Sequence, residues 1–180
     1  MNKPLYTAIA AITLDGKIAK NKNHPSDWTS KEDKVFMRKL LDKSDVIIVG
    51  NNTYKTAIRP LSKRNCIVFS RSANMPISKS ARLLYCDPEK SDIKKIIREH
   101  KYKAVAVLGG AQTYTYCLEN NMLDELYLTI EPIIFGRGID LFAASSSIDK
   151  KFKLVSIKKL NMQGSLILKY KQLHGSRQPS

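Results

Sequence analysis

Cysteine is scarce in this chain of 180 residues: Cys66, Cys86 and Cys117 are the only three, and none forms a Cys-x-x-Cys pair. An odd, widely spaced set excludes a disulfide framework and argues against a zinc site, so reduced and mostly buried thiols are expected. Histidine is equally thin. His24, His100 and His174 stand apart, with no His-x-x-x-His and no carboxylate at ligand spacing, so no metal role is expected. Long apolar runs are missing too; none approaches the roughly 18 residues of a membrane span. The opening Met-Asn-Lys-Pro-Leu-Tyr carries no signal-peptide pattern, which leads us to expect a cytoplasmic protein.

Acidic residues are the other shortage. Sixteen Asp and Glu face 31 Lys and Arg, a net charge of +15 that points to an anionic partner: nucleic acid, a phosphate-bearing cofactor or a carboxylate substrate. The lysines are spread along the whole chain and are not interleaved with aromatic side chains as base-stacking platforms would be. A solvated basic surface accounts for them, and a basic nucleic-acid-binding module stands as the non-enzyme alternative.

What is present is a regular alternation. Apolar, β-branched runs at 5–13, 45–49, 65–70, 81–86, 103–108, 125–134, 152–160 and 165–173 predict about eight strands. Helical patterns fall at 31–43, near 53–58, at 89–101 and at 111–120. Strand and helix alternate through the first two thirds, which predicts an α/β fold of three layers: a mostly parallel central sheet with helices on both faces. The last two strands are separated only by the short turn Asn161 to Gly164 and predict an antiparallel hairpin at one edge. The expected organisation is a single domain over 1–173 with a flexible polar tail at 174–180.

Three strand ends carry polar or glycine-rich turns, and carboxyl ends of parallel strands are where ligands bind in such sheets. Val49 to Tyr54 offers Gly50 for close backbone approach and the Thr53 hydroxyl at a helix start, a phosphate-holding arrangement that an ordinary Gly-Asn-Asn turn also fits. Leu108 to Tyr114 places Gly109 and Gly110 at a strand-to-helix junction suited to a pyrophosphate, or simply to a tight turn. Phe69 to Ser72 flanks Arg71 with two hydroxyls, a clamp for a phosphate monoester such as the 2′-phosphate of NADP. No Gly-x-Gly-x-x-Gly and no Gly-x-x-x-x-Gly-Lys is present.

One residue is out of place. In Thr29 to Leu41, the positions Asp33, Phe36, Met37, Leu40 and Leu41 share one helix face, so a carboxylate begins the buried stripe. Ser30 with Asp33, or Thr29 with Glu32, makes a capping box. Because either pair serves, capping does not require Asp33 on the apolar face, and a buried carboxylate needs hydrogen-bond partners.

These residues resemble the dihydrofolate reductase superfamily, which includes the reductases of riboflavin biosynthesis. The similarity runs over nearly the whole chain: Ile9 to Ala11, Asp15 to Ile18, Asp27 to Phe36, Val49 to Tyr54, Arg59 to Arg71, Leu108 to Tyr114 and Glu125 to Thr129. The resemblance implies an NADPH-dependent reductase taking 7,8-dihydrofolate to tetrahydrofolate by hydride transfer, as monomer or homodimer. It implies Asp33 and Thr129 as the catalytic pair on the pterin, with Ile9, Ala11, Met37 and Arg64 completing substrate binding, Arg64 on the glutamate carboxylate. It implies cofactor binding by Ala11, Ile18, Gly50, Asn52, Thr53, Ser70, Arg71, Ser72, Leu108, Gly109, Gly110, Ala111, Gln112, Thr113 and Tyr114, with a cis peptide at Gly109-Gly110 and a mobile loop from Lys20 to Trp28. Asn51 departs from the family by replacing a basic residue on the cofactor phosphate. Thr13 to Ala19 and Ile130 to Phe142 look more like the riboflavin-pathway reductases, whose usual Asp-Pro-x-Leu-Thr stretch is missing. A diaminopyrimidine ribosyl phosphate is therefore the alternative substrate.

Overall fold

A computed structural model describes residues 3–25, 27–73 and 75–173. The tail at 174–180 lies outside the described residues. In chain order the elements are β1 (Leu5–Thr13), β2 (Lys17–Ala19), α1 (Lys31–Leu41), β3 (Val46–Gly50), α2 (Asn51–Thr56), α3 (Ile58–Leu61), β4 (Cys66–Phe69), β5 (Ile77–Ser80), β6 (Leu83–Cys86), α4 (Ile93–Glu99), β7 (Ala104–Val107), α5 (Ala111–Glu119), β8 (Glu125–Glu131), β9 (Ile139–Asp140), β10 (Phe152–Lys159) and β11 (Leu166–Gln172).

Nine of these strands form one sheet in the order β10-β11-β8-β1-β7-β3-β4-β6-β5. From β8 to β6 every neighbouring pair is parallel. Both flanks are antiparallel: the expected hairpin β10–β11 with β11 on β8, and β5 on β6. Strand alternation then decides the layers. Val46 and Ile48 face one core with Ile93 and Ile97 of α4 and Tyr114, Cys117 and Leu118 of α5. Ile47 and Val49 face the other, with Leu41 of α1, Tyr54 of α2 and Leu61 of α3.

The differences from the sequence reading have local causes. β5 is a ninth strand in the sheet; its residues Ile-Ser-Lys-Ser are all exposed, so they carry no alternation to read. The two-stranded pairing β2–β9 involves elements of three and two residues, too short for a periodic signal. β8 ends at Glu131 rather than at 134, because Pro132 has no N–H to continue a ladder. α4 begins at Ile93, not at 89: Asp87 holds a turn by accepting from the Glu89 amide at 3.1 Å, and Asp92 caps the helix by accepting from the Lys95 amide at 2.8 Å. The single helix expected near 53–58 divides at Ala57 (φ −121°) into α2 and α3.

All three cysteines are buried free thiols, and burial pushes Cys66 up to about 11 and Cys86 up to about 12, far from reactive thiolates. Among the described residues no helix is long and apolar enough to cross a membrane. The central strands β3 and β4 are the most enclosed, with four of five and four of four residues buried. Ile48→Ala, at a fully buried position, is expected to cost roughly 3 kcal/mol and to lower the melting temperature by roughly 6–12 °C, measured by thermal denaturation.

Candidate active site

Asp33 is buried, in the first turn of α1, and its carboxylate faces the sheet. The Thr129 hydroxyl, from β8, donates to Asp33 Oδ1 at 2.6 Å. Ala11 of β1 lies beside Thr129 in register, so backbone of the adjacent strand borders the carboxylate. The capping question is settled by the bonds. Ser30 is the N-cap, its hydroxyl accepting from the Asp33 amide at 3.2 Å. The reciprocal half of a capping box, an acceptor for the Ser30 amide, comes not from Asp33 but from Glu131 Oε1 at 2.8 Å. Asp33 is thereby left facing inward.

Burial raises the pKa of Asp33 above the usual carboxylate range; bonds from Thr129 and Thr29 oppose this, the Glu131 charge adds to it, and Lys34 opposes it.

The glycine turns converge because β7 and β3 are adjacent and parallel. The Gly50 amide donates to the Gly109 carbonyl at 2.7 Å. A Cβ at Gly50 would stand 2.9 Å from Thr113 Oγ1, and one at Gly110 would stand 3.6 Å from Thr53 Oγ1. The two turns thus form one small-residue cradle between the starts of α2 and α5. α5 opens on Gly110 with no side-chain cap, leaving its first N–H groups without side-chain acceptors. Gly109 sits at φ +80°, where a Cβ would lie 2.4 Å from the Tyr114 ring, so only glycine fits. The Gly109-Gly110 peptide is cis. Tyr114 is buried and donates to the Ile9 carbonyl at 2.6 Å, tying α5 to β1. One strand further on, the hydroxyls of Ser70 and Ser72 lie 2.8 Å apart and flank the exposed Arg71.

Other expected residues occupy supporting or more distant places. Ile9 lies in the core on the α1 side, and Met37 packs against that core half-buried. Leu108 donates its amide to the Ile48 carbonyl at 2.9 Å, Ala111 is buried in the first turn of α5, and Asn52 and Gln112 are exposed. Ile18 sits in β2, which β9 pins by strand pairing and by a Lys17–Asp140 ion pair at 2.5 Å. Lys20, His24 and Trp28 gather around Phe135: the His24 and Trp28 rings meet it edge-on at 5.3 and 5.1 Å, and the Lys20 ammonium lies 5.2 Å from its centroid.

Arg64 is not at the carboxyl ends of the strands. It precedes β4 and bonds the Asp42 carboxylate and the Pro60 carbonyl. The surrounding hollow of about 460 Å³ is lined by Lys63, Arg82 and Asn65 among others. Asp42, which Arg64 holds, caps the far end of α1, nine residues or about 13 Å along the helix from Asp33.

The dihydrofolate reductase family model matches residues 5–165. The chain belongs to the dihydrofolate reductase family. A pyrimidine reductase-like protein of Corynebacterium diphtheriae has this fold with a TM-score of 0.78 at 17% identity, covering 97% of this chain and 94% of that one. Dihydrofolate reductase of Enterococcus faecalis has it with a TM-score of 0.64 at 20% identity, covering 94% and 97%. The uncharacterized protein YwjB of Bacillus subtilis is 24% identical over 140 residues, 73% of this chain and 79% of that protein. At these identities the two structures show a shared fold, and the family assignment rests on the family match.

Glu131, Ser165 and Phe135 escaped the sequence reading as site residues. Alternation along β8 places residue 131 on the face of residue 129, a signal present in Thr-Ile-Glu but unused.

The raised Asp33 has a consequence for stability. It binds its proton more tightly folded than unfolded, so its contribution weakens as pH rises from about 3.9 through its folded pKa, then stays constant. Asp33→Asn is therefore expected to raise the melting temperature at neutral pH, by roughly 2–4 °C per kcal/mol relieved. Melting curves at pH 7 and near pH 3 check this; the gain should vanish at the lower pH.

Proposed function

We propose that the protein is an NADPH-dependent reductase of a 2-amino-4-oxopyrimidine ring carried by a pterin, with 7,8-dihydrofolate as substrate and tetrahydrofolate as product. The observation that carries this is the buried Asp33 carboxylate, bonded to Thr129 and spared from capping. A carboxylate in that setting pairs with an amidine edge, which offers two parallel N–H donors.

The residues fit the cofactor. The cradle of Gly50, Thr53, Gly110 and Thr113 and the uncapped start of α5 suit the pyrophosphate. Ser70, Arg71 and Ser72 suit the 2′-phosphate, Arg71 acting without the basic residue usual at position 51. When bound, NADPH supplies the hydride. The protein's own part is positional and electrostatic. Asp33 orients the ring and stabilises positive charge as the ring nitrogen gains its proton from water, Thr129 holds the Asp33 carboxylate, and the Phe135-centred loop excludes bulk solvent.

A second reading has specific support: the pyrimidine reductase-like neighbour gives the higher TM-score of the two structures described. Arg64 does not separate the two readings, since it already holds Asp42 and either anionic tail, glutamate or phosphate, would have to displace that carboxylate. A diaminopyrimidine ribosyl phosphate presents the same amidine edge to Asp33 and a phosphate in place of the glutamate.

NADPH oxidation by the purified protein, assayed separately with dihydrofolate and with the pyrimidine ribosyl phosphate, separates the readings. Turnover with the pyrimidine alone would overturn the folate assignment. Absence of NADPH binding together with salt-sensitive RNA retention would overturn the enzyme. Asp33→Asn is expected to lower turnover by roughly a hundredfold or more while leaving NADPH affinity within about twofold. Arg71→Ala is expected to reduce the preference for NADPH over NADH roughly tenfold, read from KM for each cofactor.

A further inference from the structure

β8 meets the start of α1 at two points. Thr129 and Glu131 are two residues apart on the strand, so both side chains leave the same face. Thr129 reaches Asp33, and Glu131 Oε1 accepts from both the amide and the hydroxyl of Ser30, each at 2.8 Å. Glu131 is only 5% exposed, and a carboxylate so enclosed persists only where hydrogen bonds replace water. Its second oxygen accepts from the Ser165 hydroxyl at 2.5 Å. Ser165 is itself fixed by Asn161, whose Nδ2 donates to the Ser165 hydroxyl at 2.9 Å and whose Oδ1 accepts from the Ser165 amide at 3.0 Å. A chain of bonds therefore runs from the β10–β11 turn through Glu131 to the N-cap of α1.

We infer that Glu131 is a positioning residue for Asp33: by satisfying Ser30 in Asp33's stead, it keeps the Asp33 carboxylate out of the capping role and seated on Thr129, facing the substrate ring. Without Glu131 the Ser30 amide has no acceptor, and the nearest carboxylate of the right spacing is Asp33 itself, the N3 residue. The cap and the substrate then compete for one carboxylate. The substrate half of this inference rests on the function proposed above; the geometric half does not. The groups that face Asp33 are Thr129 and Glu131 of β8, Thr29 before the helix, Lys34 of α1 and the buried Tyr114 of α5.

The test is a carbon-13 NMR titration of the Asp33 carboxyl in the wild-type chain, Glu131→Gln and Glu131→Ala, with substrate KM, kcat and NADPH Kd measured beside it. Glu131→Gln keeps an acceptor for Ser30 and removes a charge. Its Asp33 midpoint should fall while KM stays within about threefold. Glu131→Ala should lower the midpoint further, since an N–H bond favours the ionised form, and raise substrate KM roughly tenfold or more with NADPH Kd within about twofold. If Glu131→Ala does not fold, Glu131→Asp keeps the charge but shortens the side chain so that its carboxylate withdraws from Ser30, and it should move the same readouts in the same direction, less far. An Asp33 midpoint unmoved in Glu131→Ala and Glu131→Asp, or equal losses for substrate and NADPH, overturns the inference. Shifted midpoints with no turnover of either substrate by the wild type would leave the positioning role standing and sink the functional reading.

Discussion

Parallel pairing across β8-β1-β7-β3-β4-β6 forces each connection back over a face of the sheet and delivers all six carboxyl ends to one edge. Almost everything of functional interest follows from that constraint. The turns after β3, β4 and β7 are far apart in the chain, yet adjacency of their strands brings Gly50 within a hydrogen bond of Gly109 and sets Thr53 beside Gly110. The glycines there are a packing requirement: a methyl group at Gly50 would crowd Thr113, and one at Gly109 would enter the Tyr114 ring.

Two buried carboxylates share the junction of α1 with β8, and their roles differ because their partners differ. Glu131 is saturated, with Ser30 and Ser165 taking both its oxygens. Asp33 Oδ1 accepts from the Thr129 hydroxyl, and its carboxylate keeps capacity for a ligand's N–H groups. Burying an acid costs stability, and such a cost clusters at sites under functional constraint.

Much of this is legible in the sequence. The eight strands read from the sequence all exist: buried and half-buried strands print their period on the residues, and the exposed β10 still shows a run rich in Leu154, Val155 and Ile157. The edge strand β5, Ile-Ser-Lys-Ser, offers neither signal. Asp33 was recognisable as an inward-facing acid from helical spacing alone. Arg64 was assigned through resemblance, and its engagement with Asp42 was invisible, since an exposed ion pair leaves no pattern in the chain. Glu131 carries no such mark either: a lone Glu in a strand read through to 134 looks like an ordinary outward-facing residue, and its partners Ser30 and Ser165 are distant in the chain.

Local physics in the sequence determined which segments form strands and helices, where the glycine turns fall, and that a carboxylate points into the protein. Those properties depend on neighbours within a few residues, which is the range over which periodicity and turn chemistry act. Only the tertiary structure decided who meets that carboxylate. Thr129 lies 96 residues from Asp33, and Glu131 lies 101 residues from Ser30. Contacts at such separations are set by strand order and register, and no local pattern encodes them.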